Sequence, residues 1–346
     1  MSYVFFSAAA VFALLLIPFS AEAVQAAADG LKLFGLYVVP SLFPFIVCSN
    51  CMLKGGLLNR SGREAALPLP ALALTAAVCG TPSAALMLNT VRYESVKDER
   101  SASVCCAVLN QAGPVFIIST LSRGFLESAE YAPALCVSHY VPAFIGSLLL
   151  CAGWKRRLKF CAQSKEKSPA CASRIVSESI SDSVSVMLRI GGTIVFFRVI
   201  YGVFSGMIGQ FRLPESISGS IMGVIEMTNG LKALSALQTR LSVSLCAFLL
   251  SFGGLCIFMQ SKLVFERLRA LPYFLTKLVC ALISGAVMWF WYPRIGVAYE
   301  VFSFTGERAD SMALSPEGAA AFISFASSAA LTLLLSFTLA KLKRKS

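Results

Sequence analysis

The sequence predicts an all-α polytopic membrane protein built as two inverted repeats with re-entrant hairpins and broken helices. Three observations predict it. Composition is the first. Hydrophobic residues make up 57% of the 346 and charged residues 14%, with mean hydropathy +0.74, whereas soluble domains carry about 25% charged residues. The second is a set of paired interruptions. In the second half, apolar segments are broken at Glu226-Met227-Thr228-Asn229-Gly230 and at Ser251-Phe252-Gly253-Gly254. In the first half the breaks are Cys79-Gly80-Thr81-Pro82-Ser83 and Asn110-Gln111-Ala112-Gly113-Pro114. A broken helix exposes backbone N–H and C=O groups, which a bilayer tolerates only where they are buried in protein or line a cavity. Matching breaks in two halves point to a binding site at their interface. The third is the placement of the basic residues, set out below.

Taken in order, residues 3–19 read as a retained first span. Their end, Ser20-Ala21-Glu22-Ala23, imitates a signal-peptide cleavage site, but no Lys or Arg precedes the apolar run. The segment 31–53 contains Pro40 and Pro44, so its helix is expected to kink. Residues 65–91, broken at Gly80-Thr81-Pro82, suit two short arms meeting at a polar tip. Residues 102–121 are a broken span, and 131–152 an ordinary one. A basic linker follows, with Lys155, Arg156, Arg157, Lys159, Lys165, Lys167 and Arg174. The second half opens at 180–209. A broken segment lies at 217–237, a broken span at 243–260, and a span at 271–293 that ends in the interfacial aromatics Trp289, Trp291 and Tyr292. A last span at 319–340 is stopped by Lys341, Lys343, Arg344 and Lys345. One membrane domain, 1–346, therefore divides into a first repeat at 25–153, a linker at 154–176, a second repeat at 177–293 and a final helix at 318–340.

Charge tests this arrangement. If 65–91 and 217–237 are hairpins that enter and leave on one side, eight crossings remain. Each unit then crosses an odd number of times, and the second is inverted. The side carrying both termini collects 20 Lys and Arg, while the loops of the other side hold five: Arg123, Arg212, Arg240, Arg294 and Arg308. Basic residues concentrate on the cytoplasmic side, so both termini are placed in the cytoplasm. The same rule accounts for the net charge of +12 without a nucleic-acid partner.

Catalytic chemistry finds no support. The 12 cysteines include a C-x-x-C at Cys48 and Cys51 and the adjacent Cys105-Cys106, but the single histidine, His139, is remote from both in sequence and reads as a packing residue. No P-loop, nucleophile–base pair or metal-ligand spacing occurs, so neither an enzyme nor a bound cofactor or metal is expected. Three ionisable residues inside apolar segments, Arg189, Arg198 and Glu226, are functional candidates because lipid makes them costly. Glu226 is expected either to couple transport to an ion, H+ or Na+, or to pair with Arg189 or Lys232. Arg189 is a candidate partner for a substrate anion.

Several of these stretches carry a resemblance. PSLFPF at 40–45, CGTPSA at 79–84, NQAGPVFI at 110–117, RIGGTIVFF at 189–197, VIEMTNGLK at 224–232 and LLSFGGLCIFMQS at 249–261 occur in this order. Together they resemble the sporulation integral membrane protein YlbJ family, of the nucleoside-recognition Gate type, over roughly 25–340. One departure is position 81, where the family often has Tyr and this chain has Thr. The resemblance implies a layout similar to concentrative nucleoside transporters. It also implies transport of dipicolinic acid across the outer forespore membrane during endospore formation. A nucleoside-type transporter and a non-transporting assembly protein of the spore envelope are the alternatives. Half-helix N-termini at the breaks suit a carboxylate. The expected substrate contacts are Thr81, Ser83, Asn110, Gln111, Gly113, Arg189, Glu226, Thr228, Asn229, Ser251, Gly253 and Gly254.

Overall fold

The computed structural model describes residues 2–55, 76, 80–89, 91–92, 96–153, 161–162, 171–209 and 213–295. Most of the linker, most of the first arm of the 65–91 hairpin and the final helix expected at 318–340 lie outside the described residues. The described chain is almost entirely helical. The exception is an antiparallel pairing of two-residue strands, β1 (Val91–Arg92) with β2 (Cys161–Ala162).

Among the described residues, three helices are long and apolar enough to cross a membrane, or up to four if a bent pair counts as one. Of the eight expected crossings, the last lies outside the described residues, and several others are built from shorter pieces. The first is α1 (Ser2–Leu15), followed after a tight bend by α2 (Ser20–Leu33). The segments on either side of that bend lie at 101°. Fourteen residues of α-helix reach roughly 21 Å at 1.5 Å per residue, less than the ~30 Å of a bilayer's hydrocarbon core. A wide π-helical turn, Phe34–Val38, joins α2 to α3 (Val39–Lys54), which carries Pro44 inside it. The chain thus passes the proline-bearing region as a distorted continuous helix.

The first-half hairpin keeps only α4 (Ser83–Asn89) among the described residues. The broken span becomes α5 (Val96–Leu109), an irregular stretch, and a π-helix at Phe116–Phe125. After it comes α6 (Tyr131–Gly153).

The second half opens with α7 (Ala172–Gly209), 38 residues long. At roughly 57 Å it exceeds a bilayer crossing, so its polar beginning has to stand outside the hydrocarbon. There Lys54, at the end of α3, bridges Asp182 at 2.8 Å and Glu178 at 3.2 Å. Next are α8 (Glu215–Ile225) and α9 (Met227–Ser235), separated only by Glu226. A Cβ on Gly223 would meet Gly230 Cα at 3.2 Å, and one on Gly219 would meet Ala233 and Leu234 side chains at 3.2–3.4 Å. These neighbours run in opposite directions along the two helices, so the chain folds back at Glu226 as a hairpin. The glycines let the two backbones approach, as small residues do between membrane helices.

The next pair is α10 (Arg240–Phe252) and α11 (Gly254–Val264), followed by α12 (Ala270–Trp291). A capping box starts α10: Thr239 Oγ1 accepts the Ser242 N–H at 3.1 Å, and Ser242 Oγ accepts the Thr239 N–H at 2.9 Å. Between α10 and α11, Gly253 and Gly254 both adopt left-handed φ, +82° and +73°, a backbone that residues with a Cβ take only at a cost. The helix α12 buries Tyr273, Lys277, Cys280, Ala281, Ser284 and Met288 along one stripe, while Leu275, Leu278, Val279, Leu282 and Phe290 are exposed. An apolar outer face over a partly polar inner one is the pattern a lipid surround favours.

The halves interleave. One apolar cluster combines Ala84, Leu88 and Cys106 with Phe258, Phe265 and Tyr273. Another joins Ile117 and Leu121 to Met227, Leu231, Leu249 and Met288. The four breaks therefore lie between packed surfaces contributed by both halves.

Candidate functional site

The first-half tip and the first-half break meet. A Cβ on Gly80 would lie 3.1 Å from the Gly113 nitrogen and 3.3 Å from its Cα. Behind the tip, the Ser83 hydroxyl donates to Gly80 O at 2.5 Å. In the second half the corresponding elements also meet. A Cβ on Gly254 would lie 2.9 Å from Gly223 O, 3.0 Å from Val224 O and 3.5 Å from the Met227 nitrogen. In each half, then, the glycine of one break seats the backbone of the other.

His139 on α6 joins the halves. Its ring is 1% exposed. The Ala112 N–H, freed by the first-half break, donates to His139 Nε2 at 3.1 Å. His139 Nδ1 stands 2.9 Å from Ser251 Oγ, at the second-half break. Since Nε2 accepts, the proton of a neutral ring is on Nδ1, which donates to the serine. The histidine expected to be a packing residue is a hydrogen-bonded bridge between the two breaks. Tyr140 adds a second tie, its hydroxyl donating to Ala112 O at 2.8 Å.

Asn110 lies at the end of α5, where the helix runs out. Its Nδ2 donates to Ser261 Oγ at 2.7 Å and Tyr273 OH at 3.1 Å. Its backbone carbonyl accepts from Lys277 Nζ at 2.6 Å. Gln111 turns back, donating from Nε2 to Val108 O at 2.6 Å. The buried oxygens Asn110 Oδ1 and Gln111 Oε1 have no hydrogen-bond partner.

Glu226, 4% exposed, caps α9. Its carboxylate accepts the Thr228 N–H at 3.0 Å and the Asn229 N–H at 2.8 Å. This corrects the expected pairing with Arg189 or Lys232, neither of which forms an ion pair with it among the described residues. The physical reason is local: a helix start offers free N–H donors and a partial positive charge, which satisfy a carboxylate without a cation. Arg198 on α7 donates instead to Asn229 Oδ1. Both the Asn229 Nδ2 and the Arg198 Nε are buried without a partner.

The structure therefore joins Ser83, Asn110, Gln111, Gly113, Glu226, Thr228, Asn229, Ser251, Gly253 and Gly254 through one connected set of contacts. Thr81 is half-buried at the first tip. Arg189 stands apart: it is exposed and reaches only Leu263 O, at 3.4 Å. Lys277 and Tyr273 were absent from the expected contacts. Lys277 carried a legible signal, an ionisable residue inside the apolar run 271–293, whereas nothing local marks Tyr273. Among the described residues, no group of three or more His, Cys, Asp and Glu could hold a metal.

The sporulation integral membrane protein YlbJ of Bacillus subtilis (strain 168) aligns with this chain at 23% identity over 341 residues, covering 84% of this chain and 83% of its own length. The chain is a relative of YlbJ. The resemblance carried by the motifs is thus borne out over most of the sequence. No family model matches the chain. No solved structure matches it. The three long apolar helices among the described residues fit the integral membrane character that the name of YlbJ states.

Proposed function

We propose that this YlbJ relative is a membrane transporter for a small anionic metabolite, dipicolinate, across the outer forespore membrane of a sporulating cell. The observation that carries the reading is the junction of all four helix breaks through Gly80–Gly113, His139 and Gly254–Val224. A protein that only assembled an envelope would need no unpaired side-chain amide groups buried at its helix breaks. A carrier needs such groups where two bundles rock about a substrate.

The repetition of tip-meets-break in each half supports two inverted repeats of the kind seen in concentrative nucleoside transporters. The basic asymmetry supports cytoplasmic termini. A planar dicarboxylate suits the site because Arg198 and Lys277 both donate to break asparagines and neither has a carboxylate within ion-pair distance among the described residues.

The test is uptake by the purified full chain in proteoliposomes. Saturable accumulation of labelled dipicolinate, not competed by nucleosides, is expected. Nucleoside uptake without dipicolinate uptake would overturn the substrate assignment. Uptake of neither class would overturn the transporter reading.

A further inference from the structure

A short turn, Phe265-Glu266-Arg267-Leu268-Arg269, joins α11 to α12. The Leu268 N–H donates to Phe265 O at 3.0 Å and closes it. Its two apolar residues are buried, Phe265 fully and Leu268 to within 2%. Both enter the cluster formed by Ala102, Cys105 and Cys106 of α5 and Leu88 of α4. Lys262, in the last turn of α11, donates from Nζ to the carbonyls of Glu266 and Leu268, so the turn is braced from within its own half. Its polar ties to the other half fall on the start of α5. Arg269 donates to Glu99 Oε2 from Nε at 2.8 Å and from Nη2 at 2.5 Å. Arg267 Nη1 stands 3.8 Å from Glu99 Oε1. One helical turn on, Ser103 Oγ accepts the Arg269 N–H at 2.8 Å and donates to Glu99 O at 2.7 Å. The Glu99 side chain is only 16% exposed, and a half-buried carboxylate held by a charged fork is a stronger tie than an open surface pair. Beneath lies the first-half break. Asn110 is about 16 Å along α5 from Glu99, and it is held by Ser261 and Tyr273, which flank the turn in sequence.

We propose that the turn is a strap over the first-half break and that Glu99 is its catch. With the catch released, Phe265 and Leu268 lift from α5, and water reaches Cys105 and Cys106 on the way to Asn110. The remaining holds on the strap are apolar contacts, the Ser103 bond and Lys262, which belongs to the strap's own half and moves with it. A part for the strap in substrate passage rests on the transporter reading. Its opening does not, and it is measured without transport.

The full chain is purified in detergent and exposed to a maleimide, and the labelling rate of each native cysteine is read by mass spectrometry. Cys105 and Cys106 report on the strap. Cys136 and Cys246 are buried in the other cluster, away from it, and report on general loosening. In the wild type all four are expected to label slowly. Glu99→Gln is expected to label Cys105 and Cys106 about tenfold faster, the effect of about 1.4 kcal/mol, with Cys136 and Cys246 unchanged. Combining Glu99→Arg with Arg269→Glu restores an opposite-charge pair and is expected to slow the labelling again, below that of Glu99→Arg alone. Wild-type rates at Cys105 and Cys106 in Glu99→Gln would overturn the proposal. So would an equal rise at all four cysteines, because Glu99 would then hold the whole fold and not the strap. If Glu99→Gln gives no folded protein, Glu99→Asp, which withdraws the carboxylate by one methylene, takes its place and the same outcomes decide. A chain that transports neither dipicolinate nor nucleosides but shows the selective rise keeps the strap and loses the transporter reading.

Discussion

Gly230→Ala tests the hairpin at its tightest point. A Cβ built on Gly230 would sit 2.2 Å from Gly223 Cα, 2.7 Å from Gly223 N and 2.9 Å from Gly219 O. All three neighbours are backbone atoms, so no side chain can swing aside. Ordinary carbon contacts are 3.5–4.0 Å, so α8 and α9 have to separate by more than about 1 Å. Inserting one methyl into a packed site costs about 1–3 kcal/mol, and a backbone-on-backbone clash belongs at the upper end. Separation would also move Val224, which Gly254 seats, and so disturb the second-half break. The assay is thermal unfolding of the purified variant beside wild type, with membrane abundance measured in parallel. A clear fall in both is expected. Wild-type melting and abundance would show that the two helices do not pack through this face, and the hairpin geometry would fall with it.

Glu226→Gln is expected to lower stability by about 0.5–2 kcal/mol, the usual worth of a helix N-cap, because an amide offers one oxygen to two N–H donors; unchanged unfolding would argue against the cap. His139→Phe leaves the Ala112 N–H and the Ser251 hydroxyl buried without their partner, at about 1–3 kcal/mol each, so a loss of folded protein is expected, and a variant of normal stability would remove the bridge. Single cysteines at Ser216 and Gln238 should be labelled from the same side of the membrane in intact cells. Labelling from opposite sides would refute the hairpin at 217–237.

The breaks were legible because glycine and polar residues interrupt apolar runs locally. The expected hairpin at 217–237 folds as α8 and α9, and Gly253-Gly254 adopts the left-handed backbone that only a break requires. Partners across the halves were not legible. Ser251 is 112 residues from His139 and Asn110 is 167 from Lys277, and no local pattern encodes such contacts. The rule that flags ionisable residues in apolar segments identifies cost, not depth. It singled out Arg189, which proves exposed, and passed over Lys277 because its span looked uninterrupted. Glu226 shows a different limit. Its role as a cap could be read from its place immediately before Met227-Thr228-Asn229, but pairing with a distant cation is an equally good local guess.

The charges that reach the breaks bear on the sign of the substrate. Glu226 contributes one negative charge, spent on two backbone N–H groups. His139 is neutral as bonded, since its Nε2 must stay unprotonated to accept from Ala112. Arg198 and Lys277 are positive, which leaves an excess of one positive charge in a region of low dielectric. There charge interactions are less screened than in water. On the transporter reading, such an excess of positive charge favours an anion over a neutral nucleoside. The Arg198 Nε, buried without a partner as is Asn229 Nδ2, is the charged donor still free to be used. Arg198→Gln keeps a donor for Asn229 but removes the excess charge. It is therefore expected to weaken dipicolinate uptake at least tenfold in KM, about 1.4 kcal/mol, with normal folding by thermal unfolding. Competition by a neutral pyridine diamide, if any occurs, should not change in the same variant. Equal loss toward the charged and the neutral ligand would mean that Arg198 only supports the Asn229 tip.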